Sequence, residues 1–419
     1  METHLADFIR DTPEGREADA ILRKCVHCGF CTATCPTYQL LGDELDGPRG
    51  RIYLIKEVLE GATPSRSTQL HLDRCLTCRN CESTCPSGVE YGNLVDIGRN
   101  VVARQIGSAR PNSERFARWL LREGLTRRWL FGPLYSLGQI VRPALPRALR
   151  AKVAPRAART PTPTRHHARR MLLVTGCVQA SIAPQTNDAA ARVLDALGIE
   201  VVTVRGERCC GALRSHLDDL ARARVEMRAN IDAWTPLLEG GVETIVSTAS
   251  GCGVMIKDYG HLLADDPVYR ERALAIAQRT RDISEVLFDL IAPLGERLAR
   301  SPARRVAYHP PCTLQHGQQI RGKVEAVLRA AQVDVLLCRD SHLCCGSAGT
   351  YSVLQPALAQ RLRDDKLGAL AETGAPQYVS ANVGCVSHLQ SGTQRPVRHW
   401  VELVDDVLAE RPAASGEPC

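Results

Sequence analysis

The sequence is poor in aromatic residues, which make up 4% of its 419 residues, and it has no long hydrophobic run. The longest apolar stretch, from Trp129 to Val141, contains Gly132 and Pro133 and is too short to span a bilayer. The N-terminus is charged and polar and does not resemble a secretory leader, so we expect a cytoplasmic protein. No G-x-G-x-x-G motif follows a predicted strand, so we expect any flavin to be bound by a partner subunit only.

Cysteine, by contrast, is abundant, with 18 residues. In a reducing compartment thiols act as metal ligands or redox groups, and disulfide scaffolding is disfavoured. Hydrophobic residues at 44% and charged residues at 24% are ordinary for a soluble globular protein, and the length predicts two or three domains, of which three fits best.

Two runs of four cysteines, each followed by proline, repeat the spacing C-x2-C-x2-C-x3-C-P. Three thiolates two residues apart can surround one face of a [4Fe-4S] cube, and the cysteine before proline ligates the other cluster in two-cluster ferredoxins. We therefore predict two adjacent [4Fe-4S] clusters. The ligands of the first are Cys25, Cys28, Cys31 and Cys85, and those of the second are Cys35, Cys75, Cys78 and Cys81. Structural zinc or disulfides would not explain this spacing occurring twice.

Between the two motifs, apolar residues recur at helical spacing from Ile52 to Leu59 and predict a helix. We interpret residues 1–108 as an α-helical ferredoxin domain like those of iron–sulfur subunits in respiratory dehydrogenases. Arg49 and Arg51 stand beside the motifs, where they either raise a cluster potential by their charge or form surface salt bridges.

Residues 109–170 form a basic linker rich in arginine and proline. They hold much of the excess of basic over acidic residues that gives the chain its net charge of +7. The front half mixes arginines with Trp119, Trp129 and several leucines. This pattern suits peripheral contact with an anionic membrane surface, a partner's groove or a solvated helical connector. The back half indicates an extended tether. Nucleic-acid binding is disfavoured because the motifs that read bases are missing.

The rest of the chain is a tandem duplication with cysteines at matched positions. In the first copy they are Cys177, Cys209, Cys210 and Cys252, and in the second copy they are Cys312, Cys344, Cys345 and Cys385. The displacement is 135 residues for the first three positions and 133 for the last. Each copy alternates predicted strands and helices, which indicates a parallel sheet whose ligand-binding loops lie at the carboxyl ends of the strands. We expect the cysteines of each copy to converge there.

The predicted fold class is therefore multidomain α+β. An N-terminal α-helical ferredoxin domain precedes the linker and two tandem α/β cysteine-rich repeats, at residues 171–300 and 301–411.

The Cys-Cys-Gly pattern resembles the cysteine-rich (CCG) domain shared by heterodisulfide reductase, the anaerobic glycerol-3-phosphate dehydrogenase iron–sulfur subunit, lactate-utilisation proteins and glycolate oxidase. In the heterodisulfide reductases a fifth cysteine helps to hold a non-cubane cluster, but Ala249 and Asn382 stand at that position in the two copies here. A further cluster, a redox-active dithiol at Cys344 and Cys345, and a vestigial structural site all stay open as interpretations of the repeats.

The segments YHPPCTLQHGQQIRG, SHLCCGSAGTYSVLQP and SANVGCVSHLQSGT, together with DGPRGRIYLIK between the ferredoxin motifs, resemble the iron–sulfur subunits of bacterial glycolate oxidase. The resemblance implies a hetero-oligomer in which an FAD-bearing subunit oxidises glycolate to glyoxylate beside a second, related flavoprotein-like subunit. This subunit would then pass electrons to the respiratory quinone pool. The alternatives are a self-contained disulfide or quinone reductase, an iron–sulfur subunit of lactate or glycerol-3-phosphate dehydrogenase, and a scaffold with purely structural clusters.

Four histidines lie beside the cysteines of the second copy, where they are either donors of protons or hydrogen bonds to a quinone or cluster, or ordinary loop residues. They are His309, His316, His342 and His388. Cys338 ends an apolar strand and is interpreted as a small buried hydrophobic residue. Cys419 has no motif around it.

Overall fold

The structure is a computed structural model, and it describes residues 1–107, 110–146, 150, 153–156, 161–298 and 304–410. The expected domain boundaries at 108/109, 300/301 and 411, and Cys419, lie outside the described residues.

The described residues before position 108 form a helical domain. Its helices are α1 (Asp7–Arg10), α2 (Pro13–Lys24), α3 (Phe30–Ala33), α4 (Pro36–Leu41), α5 (Pro48–Leu59), α6 (Arg66–Asp73), α7 (Asn80–Thr84) and α8 (Tyr91–Ile106), with a 3-10 turn at Glu44–Asp46. The predicted helix is α5, whose apolar face packs on α8. Pro48 begins α5 at a position where its missing N–H removes no helical hydrogen bond.

The front half of the basic segment is helical and docked. It forms α9 (Asn112–Thr126) and α10 (Arg128–Ile140), followed by a 3-10 turn at Arg142–Ala144. Arg110 and Arg118 are buried, and both form ion pairs with Asp73 of the ferredoxin domain and Asp218 of the first repeat. The start of this segment therefore fastens the two domains together, and these two arginines are unavailable to a membrane.

Each repeat contains a four-stranded parallel sheet. The strands are β1 (Arg169–Leu173), β2 (Ile199–Val202), β3 (Thr244–Ser247) and β4 (Thr280–Asp282) in the first, and β5 (Arg304–His309), β6 (Val333–Leu337), β7 (Gln377–Ser380) and β8 (Val397–His399) in the second. Their orders, β2-β1-β3-β4 and β6-β5-β7-β8, are the same topology twice. The predicted duplication and the predicted parallel sheet of each copy are confirmed. The short strands β4 and β8 were not predicted.

Helices connect these strands and cover the sheets. In the first repeat they are α11 (Gln179–Ile182), α12 (Pro184–Ala196), α13 (Ala212–Ser215), α14 (Leu220–Glu239), α15 (Ser250–Lys257), α16 (Tyr259–Leu262), α17 (Arg270–Arg279), α18 (Ile283–Asp289) and α19 (Ile291–Arg297). In the second they are a π-helical turn (Thr313–Gly317), α20 (Lys323–Ala330), α21 (Tyr351–Leu354), α22 (Pro356–Ala371), α23 (Val383–Gln390) and α24 (Trp400–Ala409).

The two repeats share one hydrophobic core. Helix α12 of the first repeat packs on α24 of the second, and α18 packs on α20. The core runs through Leu194, Leu287, Val327 and Trp400, all of which are buried. Because this core crosses from one repeat to the other, the duplicated half behaves as one packed body, and the cysteine loops of both copies are held in fixed relative positions.

Candidate metal centres

The two C-x2-C loops of the ferredoxin domain have the same backbone shape. His27 and Thr77, at matched positions, have φ of 55° and 50°, and Gly29 and Arg79 have φ of 84° and 57°. A positive φ is unusual for a β-branched residue such as threonine. The conformation brings the Thr77 N–H to 3.4 Å from the Cys75 Sγ, so the loop donates a backbone hydrogen bond to a sulfur. This arrangement suits thiolates that bind a cluster.

A narrow cavity in this domain is lined by five cysteines, which are Cys25, Cys28, Cys31, Cys81 and Cys85. Four of them make up the ligand set that we predict for the first cluster. Cys28 is exposed, and the neighbouring Val26 and Phe30 are 69% and 61% exposed. The cavity therefore lies close to the protein surface, beside an exposed apolar patch.

In the second predicted set, Cys35, Cys75 and Cys81 are buried and Cys78 is half-buried. Burial raises the pKa of Cys78 and Cys81 well above the ordinary thiol value, and the neighbouring thiols of Cys35 and Cys75 raise it further. The Tyr91 hydroxyl donates to the Cys75 Sγ at 3.6 Å. Thiols that are shielded from solvent lose their protons when they bind a metal. The cysteines of the second set therefore fit an iron–sulfur cluster. Cys81 adjoins both groups of thiols, and the two predicted sites are neighbours.

The two arginines beside the motifs have different environments. Arg49 forms a half-exposed ion pair with Glu44 at 2.6 Å, as a surface salt bridge does. Arg51 is 1% exposed and lies near Cys35 and Cys75; it donates to the His71 backbone oxygen at 2.8 Å and pairs with the buried Asp46. Of these two arginines, Arg51 is therefore the one that places buried positive charge next to the second set of cysteines.

Each cysteine-rich repeat brings four cysteines together at the carboxyl ends of its strands. In the first repeat Cys177 follows β1, and its Sγ lies 3.3 Å from that of Cys209. Cys210 lies between Cys209 and Cys252, and Cys252 is on the first turn of α15 after β3. The convergence expected from the parallel topology is present in the structure.

The second repeat gathers its cysteines in the same way. The Sγ atoms of Cys312 and Cys344 are 3.9 Å apart, and the Gly346 N–H donates to the Cys344 Sγ at 3.4 Å. Cys345 adjoins both Cys344 and Cys385, so the four sulfurs form a continuous row. All four of these residues are buried.

The glycine of each Cys-Cys-Gly motif is required by the backbone. Gly211 has φ +95°, and Gly346 has φ +84°. A Cβ on Gly346 would lie 2.6 Å from the backbone oxygen of Ala359, and one on Gly211 would lie 2.9 Å from the end of the Met227 side chain. Only glycine adopts this left-handed conformation without cost at such close range.

The second repeat docks on the second ferredoxin motif. Cys78 packs against an apolar cluster that includes Leu76, Cys312, Cys344 and Tyr351. The Asn80 side chain donates to the His342 backbone oxygen at 3.2 Å. The buried cysteines of the second repeat are therefore in contact with those predicted to bind the second ferredoxin cluster.

The two repeats also meet beside their cysteines. Ser250, two residues before Cys252, is hydrogen-bonded through its hydroxyl to the Thr313 hydroxyl at 2.7 Å. Thr313 follows Cys312 directly. The Gln318 side chain donates to the Ser250 backbone oxygen at 3.0 Å. These contacts link the last cysteine position of the first copy to the first position of the second.

The four histidines near the second copy differ in role. His316 links the Ser83 hydroxyl at 3.0 Å to the His342 backbone oxygen at 2.9 Å, and burial lowers its pKa to about 4. His388 bonds to the Ala359 backbone oxygen at 3.1 Å. Both act as hydrogen-bonded structural residues. His309 is different: it is buried, and neither ring nitrogen has a partner among the described residues.

Several contacts at these sites have no signal in the sequence. Asp46 anchors Arg51, Arg74 and His71, and Arg99 donates to the backbone oxygens of Leu72 and Cys75. No local motif indicates these contacts, because their partners lie 20 or more residues away for most pairs. The prediction that Cys338 is buried is confirmed.

A helical domain with paired four-cysteine motifs, docked on two parallel-sheet repeats with converging cysteines, defines an iron–sulfur electron-transfer protein. Comparison with known proteins agrees. A family described as "4Fe-4S dicluster domain" matches residues 21–89, and one described as "Cysteine-rich domain" matches residues 171–257 and 306–390.

The chain is 50% identical to the glycolate oxidase iron-sulfur subunit of Escherichia coli K12, over 97% of this chain and 99% of that protein. It is 30% identical to a probable glycolate oxidase iron-sulfur subunit of Bacillus subtilis, over 89% of each chain. The chain therefore belongs to the family of glycolate oxidase iron–sulfur subunits and is a component of an oxidoreductase.

More distant similarities extend the comparison. The chain is 26% identical to lactate utilization protein A of an Exiguobacterium strain, over 56% of this chain and 96% of that protein. A crystal structure of a hypothetical protein from Helicobacter pylori has a similar fold, with a TM-score of 0.53 at 11% identity over 95% of this chain and 73% of that one. Among the described helices, none has the length and apolar character needed to cross a membrane.

Proposed function

We propose that this chain relays electrons from a flavoprotein subunit that oxidises glycolate to glyoxylate towards the respiratory quinone pool. The observation that carries the proposal is the contact between Cys78 and the cysteines of the second repeat. Two [4Fe-4S] clusters are assigned to the ferredoxin cysteines, with the ligand sets predicted above. FAD is assigned to a partner subunit.

The arrangement of the ferredoxin sites gives the relay a direction. Oxidation of glycolate to glyoxylate releases two electrons and two protons, and each bound [4Fe-4S] cluster carries one electron at a time. The first set of cysteines lies near the surface beside exposed Val26 and Phe30, which suits entry of electrons from a docked flavoprotein. Cys78 of the second set packs against the second repeat, which suits their onward transfer.

A self-contained disulfide or quinone reductase is the main alternative. It requires a substrate to reach Cys344 or Cys345, but these residues are 3% and 0% exposed. A buried dithiol suits electron transfer through the protein better than direct attack on a large substrate. Lactate remains a second candidate donor, supported by the similarity to lactate utilization protein A.

Peripheral membrane contact is proposed for α10 and the adjoining face of α9. Trp129 and Ile140 are 72% and 71% exposed, and Phe116, Trp119 and Leu134 are also exposed. With nearby arginines, such a surface suits the cytoplasmic face of an anionic membrane. Replacing Trp129 and Ile140 together with serine should release the complex from anionic vesicles in a sedimentation assay. Unchanged sedimentation would contradict this contact.

The function is tested by turnover of the assembled complex. The chain is co-expressed with its flavoprotein subunits, purified without oxygen, and supplied in turn with glycolate, (R)-lactate and glycerol 3-phosphate, with a soluble quinone analogue as acceptor. We expect glycolate to support the fastest quinone reduction, and we expect no glycolate oxidation by the chain alone. Reduction of a disulfide by the isolated, pre-reduced chain at the rate of the complex would instead support the self-contained reductase.

A further inference from the structure

His309 is a buried polar residue that the relay does not explain. It ends β5 three residues before Cys312, is 1% exposed, and has no hydrogen-bond partner for Nδ1 or Nε2 among the described residues. Its backbone oxygen accepts from the Ser380 hydroxyl at 2.9 Å, which fixes the main chain but leaves the ring unpaired. Buried polar side chains in folded proteins are nearly always hydrogen-bonded, so an unpaired imidazole indicates a missing partner.

The ring of His309 lies among sulfur atoms. A ring nitrogen of His309 and the sulfurs of Cys345 and Cys385 all lie within 4.8 Å of one another, and all three residues are buried. These residues come from the end of β5, the Cys-Cys-Gly loop and the first turn of α23, so the tertiary structure brings them together. Imidazole and thiolate are the ligands that iron and zinc sites use most often.

The first repeat provides an internal comparison. Val174 stands three residues before Cys177, at the position that matches His309, and it is buried in an apolar cluster. The fold therefore accommodates an apolar side chain at this position and does not require a histidine there. The histidine is a feature of the second repeat alone and gives that repeat a fifth donor in addition to Cys312, Cys344, Cys345 and Cys385.

Five donors in a continuous row exceed the four that a single tetrahedral zinc ion takes. We propose that the second repeat holds an iron–sulfur centre ligated by His309 together with its four cysteines. The proposal goes beyond the electron relay, because transfer from a flavin to the ferredoxin domain would stand without it. A neutral imidazole in place of a thiolate makes a centre less negative and raises its reduction potential. Such a centre would be suited to accept electrons from the second ferredoxin cluster, because Cys78, a predicted ligand of that cluster, contacts the second repeat.

The test uses the complete complex, labelled with 15N-histidine or left unlabelled, reduced and examined by pulsed EPR. The proposal predicts strong nitrogen coupling of a directly bound imidazole, with the isotope shift of the labelled histidine. It also predicts that the iron content exceeds the roughly eight atoms of two [4Fe-4S] clusters. Because this measurement uses the native protein, it does not depend on whether a variant folds.

Variants identify the histidine. His309→Ala should lower the iron content to about that of the two ferredoxin clusters, and His309→Cys should retain the extra iron, lose the nitrogen coupling and lower the midpoint potential of the centre. His342→Ala is the matched control, since that half-buried side chain lies in the same region, and it should change none of these values.

Three results in the native complex would each overturn the proposal. They are the absence of nitrogen coupling, the absence of iron beyond the ferredoxin clusters, and the presence of zinc in the second repeat. Glycolate-dependent reduction of the ferredoxin clusters would persist in that case, so this failure is distinct from failure of the relay.

Discussion

The Asn80 side chain spans two domains. It sits at the start of α7 within the second ferredoxin motif and donates to the backbone oxygens of Thr34 at 3.1 Å and His342 at 3.2 Å. His342 lies two residues before Cys344. One buried amide thus ties both halves of the ferredoxin domain to the loop that carries the Cys-Cys-Gly motif.

Replacing Asn80 with alanine should therefore weaken the docking of the second repeat. Removal of two buried hydrogen bonds is expected to lower the free energy of unfolding by about 1–3 kcal/mol. The measurement is the urea midpoint of the anaerobically purified chain. Asn112→Ala, at an exposed position on the first turn of α9, is the control and should stay within about 0.5 kcal/mol of the native value. Equal midpoints for the two variants would contradict the role of Asn80.

The two glycines of the Cys-Cys-Gly motifs should differ in their tolerance of alanine. Each substitution places an L-residue in the left-handed region, at a cost of roughly 1–2 kcal/mol. Gly346→Ala should cost more than Gly211→Ala, because the backbone oxygen of Ala359 cannot move away as easily as the flexible end of Met227. Thermal unfolding of the two variants tests the order, and a larger loss for Gly211→Ala would show that the close contact at Gly346 is not limiting.

Phe30 should contribute to binding of the flavoprotein. It is exposed at the start of α3, beside the cavity that Cys25, Cys28, Cys31 and Cys85 line. Phe30→Ser is expected to weaken association about tenfold, which corresponds to about 1.4 kcal/mol. Calorimetric titration of the flavoprotein subunit with this chain provides the measurement. Phe116→Ser removes a phenylalanine of similar exposure on α9 and should leave the affinity unchanged.

The contact between α2 and α16 should depend on pH. The His261 ring donates a hydrogen bond to the Glu17 carboxylate at 3.1 Å, and this bond raises the pKa of His261. Burial acts in the opposite direction, and the nearby Asp258 carboxylate adds to the increase. A raised pKa in the folded state means that the stabilisation is fully present below the unfolded value of about 6.5 and is lost as pH rises through the folded pKa.

An NMR titration of His261 should accordingly give a pKa above that of an unfolded peptide, and Glu17→Gln should lower it. Glu14→Gln, on the same helix, is the control. A titration of His261 that is the same in the native chain and the Glu17 variant would mean that this ion pair does not form in solution.

Features that depend on residues close together in the chain could be predicted from the sequence, and features that depend on distant residues could not. The cysteine spacing and the apolar runs that precede Cys177 and Cys312 are local patterns, and together they were sufficient to predict the sheets and the meeting of the cysteines. The fourth strands were missed because Thr280–Asp282 and Val397–His399 have three residues each and, apart from Val397, only charged or polar side chains. Pairing with β3 or β7, rather than any local preference, makes them strands.

Long-range ion pairs account for the largest departure. The arginines of the basic segment suggested a solvated or membrane-facing connector, yet Arg118 is buried between Asp73 and Asp218. These carboxylates lie 45 and 100 residues away in the chain. A sequence gives the charge of Arg118 but not the partners that neutralise it, so its structural role could not be predicted.

On the proposed function, electrons from glycolate reach the clusters of this chain. Its most direct test is to mix the anaerobically purified complex with glycolate in a stopped-flow spectrometer and to follow the visible absorbance of the oxidised clusters. We expect bleaching at a rate no slower than turnover. Reduced flavin beside clusters that stay oxidised would contradict it, because the chain would then serve a different donor.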